Sequence, residues 1–344
     1  MTLRASVVVP AHGEPSNLAA CIEALERSDL PRESWELIIV DDASPAPLDG
    51  ANLHRADRLI RIDNHPRGPA FSRNRGAEQA SAEIVVFVDA DVEVHSDALR
   101  RMAEAIEADE SVSAVIGSYD SAPPHGGVVS GYRNLLHHFV HQRNAGEVES
   151  FWAGCGAVRA EAFNACGGFD ETRFTRPEIE DVELGYRLRD LGHRIVLDPE
   201  VLCTHRKRWT LARMVRTDFT RRGVPWTRLL LERGMLLRPR GLSLGASERL
   251  SLLLAGAAVV VGIAAAPSRS IPLAVTAAVA LATFVIVNRD LLRWLNRERG
   301  IAFALSAIPL HLLYNLVALS AVAWGTVLHL VSGRREPRRY RSRR

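Results

Sequence analysis

Three short apolar runs in the first part of the chain each stop at a cluster of polar residues. Ser6 to Val9 leads into Pro10 and then Ala11-His12-Gly13-Glu14. Leu37 to Val40 leads into Asp41-Asp42-Ala43-Ser44, and Ile84 to Val88 into Asp89-Ala90-Asp91. The runs are rich in β-branched residues and do not alternate, which is the pattern of strands buried on both faces of a parallel sheet. Between them, Leu18, Cys21, Ile22 and Leu25 recur at helical spacing in a segment that Asn17 would cap and Glu26 would end. A weaker strand over Leu59–Ile62, a helix over Ala70–Ala80 and a strand over Val112–Tyr119 continue the alternation. This predicts an α/β fold built on a doubly wound, Rossmann-like sheet. Ligands of such sheets bind beyond the carboxyl ends of the strands, so the polar clusters are expected to share one site.

Further along, Phe151–Val158 and Val201–Thr204 read as strands, and Glu178–Leu191 as a helix with Glu180, Asp181 and Glu183 in its acidic first turn. His137, His138 and His141 fall on one helix, expected to be solvated or to face an acceptor. Trp209–Arg222 reads as a basic helix lying on a membrane surface.

From about Leu250 the composition changes. Leu250–Ala266 and Ile271–Val287 are apolar blocks of ~17 residues each, the lower limit for crossing a bilayer. Pro267-Ser268-Arg269-Ser270 would join them as a hairpin, and Asn288 to Gly300 would be a basic linker. Ala302–Val331 is longer but interrupted by Pro309, His311 and Asn315. The net charge of +3 conceals basic stretches at Arg206–Arg240 and Arg334–Arg344 that flank these blocks. Basic residues beside apolar spans suit anionic lipid better than nucleic acid. The expected division is a catalytic domain over 1–230, a juxtamembrane linker over 231–249, two or three membrane helices over 250–331 and a basic tail over 332–344. Met1-Thr2-Leu3-Arg4 leads directly into strand sequence without a signal peptide, so the catalytic part is expected on the cytoplasmic side of the cytoplasmic membrane. Cys21, Cys155, Cys166 and Cys203 have no metal-ligand spacing and read as buried, reduced thiols.

Carboxylates at Asp89 and Asp91, just past a buried strand, suit a hard divalent cation, Mn²⁺ or Mg²⁺. Such an ion neutralises a diphosphate leaving group. With Ser6-Val7-Val8-Val9-Pro10-Ala11-His12, Val40-Asp41-Asp42-Ala43-Ser44, Ser72-Arg73-Asn74-Arg75-Gly76-Ala77, Val88-Asp89-Ala90-Asp91, Gly167-Gly168-Phe169-Asp170-Glu171 and Glu180-Asp181-Val182-Glu183-Leu184 in this order, residues 4–230 resemble a family 2 glycosyltransferase. The resemblance implies the GT-A form of the sheet and a nucleotide-sugar donor, UDP- or GDP-linked. It implies that Pro10 and His12, with Glu14 beside them, contact the nucleotide. It further implies that Asp42 reads a base edge, that Arg73 lies near the base and phosphates, and that Asp89 faces ribose and metal. Asp91 would ligate the metal, with His205 as a further ligand. Asp181 matches the general base, with Glu180 as the alternative. The stretch Thr220 to Trp226 does not match the Q-x-x-R-W motif of processive synthases.

The reading that results is an inverting, metal-dependent transfer of one sugar to a hydroxyl of a lipid-linked or glycan acceptor of the cell envelope. Alternatives are a polyprenyl-phosphate glycosyl synthase, which needs no strong base, and a non-catalytic membrane scaffold that retains the fold.

Overall fold

The computed structural model describes residues 3–46, 48, 51–236 and 245–332. Two compact units are present. The first contains the described residues of Met1–His125 and Val140–Lys207, and the second those of Gly126–Phe139 and Arg208–Pro337.

The first unit is built on one mixed sheet. Its strands are β1 (Ala5–Ala11), β2 (Trp35–Asp42), β3 (Arg58–Ile62), β4 (Ile84–Val88), β5 (Val92–Val94), β6 (Val112–Tyr119), β7 (Gly146–Val148), β8 (Cys155–Arg159) and β9 (Arg194–His205). They lie in the order β3-β2-β1-β4-β8-β6-β9-β5, with β7 also on β9. The β3-β2-β1-β4 half is parallel, as the alternating pattern predicts. Strand β8 then runs antiparallel to both β4 and β6. It is shorter than the expected Phe151–Val158 and begins just after Gly154, which packs so closely on the ring of Trp152 that an added Cβ would lie 2.8 Å from it.

Strands β1, β2, β4 and β6 are buried almost throughout, and their apolar side chains form the core with α1 (Pro15–Glu26) and α3 (Ala98–Glu107). Strand β3 is an edge and largely exposed. Helix α1 begins at Pro15 rather than being capped by Asn17. Proline is at home in a first turn, where its missing N–H has no partner to lose. Asn17 lies inside that turn and donates to Glu14 Oε2 at 2.5 Å.

Helix α2 (Pro69–Glu78) packs on β1 and β2 through Gly76, where an added Cβ would meet Val8 at 2.3 Å. The register Ala11↔Asp41 and Val8↔Phe87 brings the carboxyl ends of β1, β2 and β4 to one edge. His12, Asp42 and Asp89 therefore emerge side by side.

The second unit is helical. It holds the first part of α4 (Val128–Arg143), then α7 (Leu211–Thr217), a π-helical turn over Asp218–Gly223, α8 (Val224–Glu232), α9 (Ala246–Ser268), α10 (Ile271–Val287), α11 (Arg289–Arg299) and α12 (Ile301–Ser332). The expected catalytic span 1–230 thus includes 126–139 and 208–230, which group here with the apolar helices. Helices α9 and α12 are each long and apolar enough to cross a membrane, and a third span is reached only if α10 and α11, bent by 61° at their junction, are counted as one. Leu253, Val260, Ile263, Ile271, Leu330 and Val331 are all more than half exposed, as side chains facing lipid would be.

Three expectations change in this unit. Helix α9 continues through Pro267 and turns only at Arg269, after which Ser270 caps α10 by accepting from the Leu273 N–H. Pro309 does not interrupt α12. The basic linker Asn288–Gly300 is itself a helix, because its leucines fall on one face. Among these helices runs a buried polar chain. Tyr132 Oη lies 2.8 Å from His311 Nδ1, His311 Nε2 lies 2.9 Å from Asn288 Oδ1, and Asn288 Nδ2 donates to Ser251 Oγ at 2.9 Å. The linker residues 237–244 and the tail 333–344 lie outside the described residues.

Candidate active site

Arg73 is the centre of the site. It sits in α2 with its side chain only 5% exposed, and it holds carboxylates from two distant segments. One guanidinium nitrogen donates to Asp89 Oδ1 at 2.7 Å and the other to Glu180 Oε1 at 2.9 Å. Burial disfavours the charge on Arg73, but Asp89 and Glu180 outweigh it and keep the group firmly protonated. The second oxygen of Glu180 accepts the N–H of Glu178 at 2.8 Å, which fixes the entry to α6 (Glu180–Asp190). Glu180 is therefore a buried counter-ion with both oxygens engaged. It is the residue expected as the alternative base, and here one oxygen faces Arg73 and the other a backbone N–H.

Asp181 follows on the same turn and is less enclosed. Its oxygens accept the N–H groups of Val182 at 2.8 Å and of Ala153 at 3.3 Å. Burial, then the charge of Glu180, push its carboxyl up to about 7 against the opposing pull of Arg73 and these backbone bonds. Helix α6 reaches this position because Gly185 lets it touch the backbone of Ser150 and Phe151, where an added Cβ would stand 2.2 Å from Phe151 N.

Asp89 and Asp91 flank the short turn between β4 and β5. Asp89 N–H donates to Gly154 O and Asp89 O accepts from Val92, so the turn is tied at both ends. Burial raises the proton affinity of Asp89, Arg73 opposes it, and Asp91 adds to the rise. Asp91 faces His205, the last residue of β9, with Oδ2 3.5 Å from Nε2. Burial works against its charge, but hydrogen bonding to His205 and the nearby Lys207 prevail and hold its carboxyl at about 2. The His205 ring is fixed in turn by Tyr119, stacked on it at 4.5 Å with 6° between the planes, and Trp152 stands edge-on to Tyr119. Nothing in the local sequence pointed to Tyr119, which reads only as the end of a buried strand.

The expected metal ligands divide accordingly. Asp91 and His205 face each other, whereas Asp89 is turned to Arg73, a full positive charge at hydrogen-bonding distance. No group of three His, Cys, Asp or Glu among the described residues is arranged to hold a metal ion. Asp91 and His205, one carboxylate and one imidazole, are donors that suit a divalent ion.

The expected nucleotide-side residues lie at the ends of β1 and β2. His12 is exposed, with Nδ1 2.8 Å from Asp42 O. Pro10 is half-buried at the last turn of β1. Glu14 is exposed, adopts a left-handed backbone (φ 51°) and stands at the N-cap position of α1 without a side-chain bond to the helix backbone. The Asp42 carboxylate accepts the N–H groups of Arg67 and Gly68, each at 2.8 Å, and so holds the segment that enters α2. Asp42, the residue expected to read a base edge, thus also ties down this loop. Asn74, next to Arg73, donates to Phe169 O at 2.9 Å and accepts from Phe169 N at 2.9 Å, which bolts the Gly167–Glu171 turn to α2.

Of the three histidines of α4, His141 is buried and His137 and His138 are half-buried. His141 has Nδ1 2.9 Å from Gly117 O and its ring edge-on to Trp152, and His138 stacks on Trp294 at 5.4 Å. The four cysteines are free and buried.

Comparison with known proteins follows the same lines. Residues 6–167 match the family model described as glycosyl transferase family 2. Over 212 residues the chain is 26% identical to glycosyltransferase AglE of Haloferax volcanii, covering 58% of this chain and 66% of that one. Over 221 residues it is 29% identical to the pre-mycofactocin glycosyltransferase of Mycobacterium tuberculosis, covering 60% and 43%. The matched region thus spans less than two thirds of the length of these curated relatives. Among solved structures, the mannosyltransferase PcManGT from Pyrobaculum calidifontis, in complex with GDP-Man and Mn²⁺, superposes with a TM-score of 0.57 at 21% identity. That superposition covers 90% of this chain and 88% of the other, and shows the GT-A fold.

Proposed function

Given that the chain belongs to glycosyltransferase family 2, we propose that it transfers a sugar from a nucleotide-sugar donor to a hydroxyl of a lipid-linked acceptor, with inversion at the anomeric carbon. The observation that carries the reading is the position of Asp181. It is a carboxylate of raised proton affinity that follows directly on Glu180, the buried counter-ion that Arg73 joins to Asp89.

In this reading Asp91 and His205 hold a divalent ion, Mn²⁺ or Mg²⁺, which neutralises charge on the departing diphosphate when bound. Pro10 and His12 border the nucleotide, and Asp42 keeps the loop beside it in place. Arg73 keeps Asp89 oriented toward the donor and pairs with Glu180 beside the base. Asp181 takes the proton of the acceptor hydroxyl as that oxygen attacks the anomeric carbon and the bond to the diphosphate breaks. Supporting this are the family match, the shared fold with a protein solved with GDP-Man and Mn²⁺, and helices fit to cross a membrane. We assign catalysis to the first unit and place it on the cytoplasmic side, beside a lipid-borne acceptor.

The test is donor turnover by detergent-solubilised protein against a panel of nucleotide sugars, with membrane lipid extract and Mn²⁺. Release of nucleoside diphosphate from one donor, lost in Asp91→Ala and in Asp181→Asn, is the expected result. Turnover retained in Asp181→Asn supports a lipid-phosphate acceptor instead, because a phosphate oxygen needs no base. Nucleotide binding without turnover of any donor supports the scaffold reading.

A further inference from the structure

Helix α11 joins two helices that are apolar along their length, yet it is itself rich in arginine. Its side chains divide cleanly around the axis. Leu291 and Leu295 are buried, and Trp294 packs on His138 and Phe139 with ring centroids 5.4 and 5.5 Å apart. Arg289, Arg293 and Arg297, four residues apart, are exposed and fall within roughly 80° of one another on the opposite side. Arg289 has Asp290 at 3.8 Å; the stripe otherwise points away from the protein.

The angle at which α11 leaves α10 is 61°. Asn288, at the elbow, is held on several sides. Its amide donates to Phe284 O at 2.8 Å and to Ser251 Oγ at 2.9 Å, and its oxygen lies 2.9 Å from His311 Nε2. Ser251 and His311 are buried, so the bend is set by interior hydrogen bonds rather than by a loose joint. An apolar helix that ends at a fixed elbow and continues as a helix with one apolar and one arginine face has the geometry of a segment lying in a bilayer interface.

We propose that α11 is an interfacial helix whose Arg289–Arg293–Arg297 stripe binds the anionic headgroups of phospholipids. Four arginines against Asp290 and Glu298 give the helix a net positive charge, and the flanking apolar helices place that charge where phosphate groups lie. Headgroup binding there would anchor the short helical hairpin against sliding along the membrane normal. The inference rests on the membrane-spanning reading of the helices, and it is independent of catalysis.

The experiment uses the full-length protein in neutral detergent with phosphatidylcholine and phosphatidylglycerol supplied together, and counts retained lipids by native mass spectrometry. Wild-type protein should retain phosphatidylglycerol in preference. The triple change Arg289→Gln, Arg293→Gln, Arg297→Gln should lower that preference by roughly 10²-fold at low salt. Lysine at the same three positions should preserve most of it. Glutamine at Arg55, Arg58 and Arg61, exposed on the first unit, should leave it unchanged. An unchanged preference in the α11 triple variant overturns the proposal, as does an equal loss in the Arg55/Arg58/Arg61 variant. Recovery of the protein as a soluble species without detergent overturns the membrane reading beneath it. Donor turnover measured on the same samples keeps a failure here apart from a failure of the glycosyltransferase reading.

Discussion

Arg73 and Glu180 stand 107 residues apart in the chain and 2.9 Å apart in the fold, both all but excluded from solvent. This pair joins the helix that follows β3 to the helix that carries Asp181. The two halves of the site therefore depend on one buried charge.

Arg73→Met should leave Glu180 and Asp89 without their counter-charge. Removing one partner of a buried pair costs about 3–5 kcal/mol, mainly through the stranded anion. Thermal unfolding in detergent should register the loss, and donor turnover should vanish. A variant of unchanged stability would show that Glu180 finds another partner.

The raised proton affinity of Asp181 predicts a pH dependence with a definite sign. A base must be deprotonated to act, so turnover should climb as pH rises through about 7 and level off above it. Stability should run the other way. Between the ordinary carboxylate range and about pH 7 the native state holds a proton that the unfolded chain has lost, so stability falls as pH rises across that window. Asp181→Asn should flatten both profiles and lower turnover by ~10²–10⁴-fold. A rate limb that survives in Asp181→Asn belongs to another group.

Removal of divalent ions with a chelator should stop turnover, and Mn²⁺ should restore it. Asp91→Ala and His205→Ala should each weaken Mn²⁺ binding by titration calorimetry, whereas Asp89→Asn should affect it less, because Asp89 is engaged by Arg73. Equal losses for all three would place Asp89 among the ligands after all.

Gly185→Ala would set a methyl group 2.2 Å from Phe151 N, closer than any real contact, so α6 must shift. Overpacking of this kind costs about 1–3 kcal/mol. Turnover should drop far more than nucleotide affinity, since the residues expected at the nucleotide sit on other elements. A proportionate loss of both would mean that the whole unit has loosened.

Much of the sheet was legible because buried parallel strands are written as unbroken apolar runs. Ile84–Val88 and Val112–Tyr119 match β4 and β6 residue for residue. The clustering of polar residues at strand ends followed from topology, and the structure does gather Asp89, Asp91, Glu180, Asp181 and His205 around one edge. What each side chain does there was not legible. The partner of Arg73 lies far along the chain, and no spacing rule reports it. Asp42 reads in sequence like any acidic strand end, and its occupation by the Arg67 and Gly68 amides is a matter of loop geometry. In the helical unit, the arginines of Arg289–Arg299 give the segment the composition of a basic linker, and only the spacing of Leu291 and Leu295 marks it as a helix.

Strand β9 lies between β6 and β5, yet the chain makes it after both. Successive side chains of β9 go to opposite faces: Thr204 bonds to Asp120, and its neighbour His205 meets Asp91. A slip of one residue would exchange them. During synthesis, β5 and β6 must wait with a gap between them until the chain through His205 has emerged. Pairing over such distances is slow. The imidazole that faces Asp91 is therefore among the last parts of the sheet to arrive, and a nascent chain should be able to assemble the Arg73 cluster before it can sequester an ion.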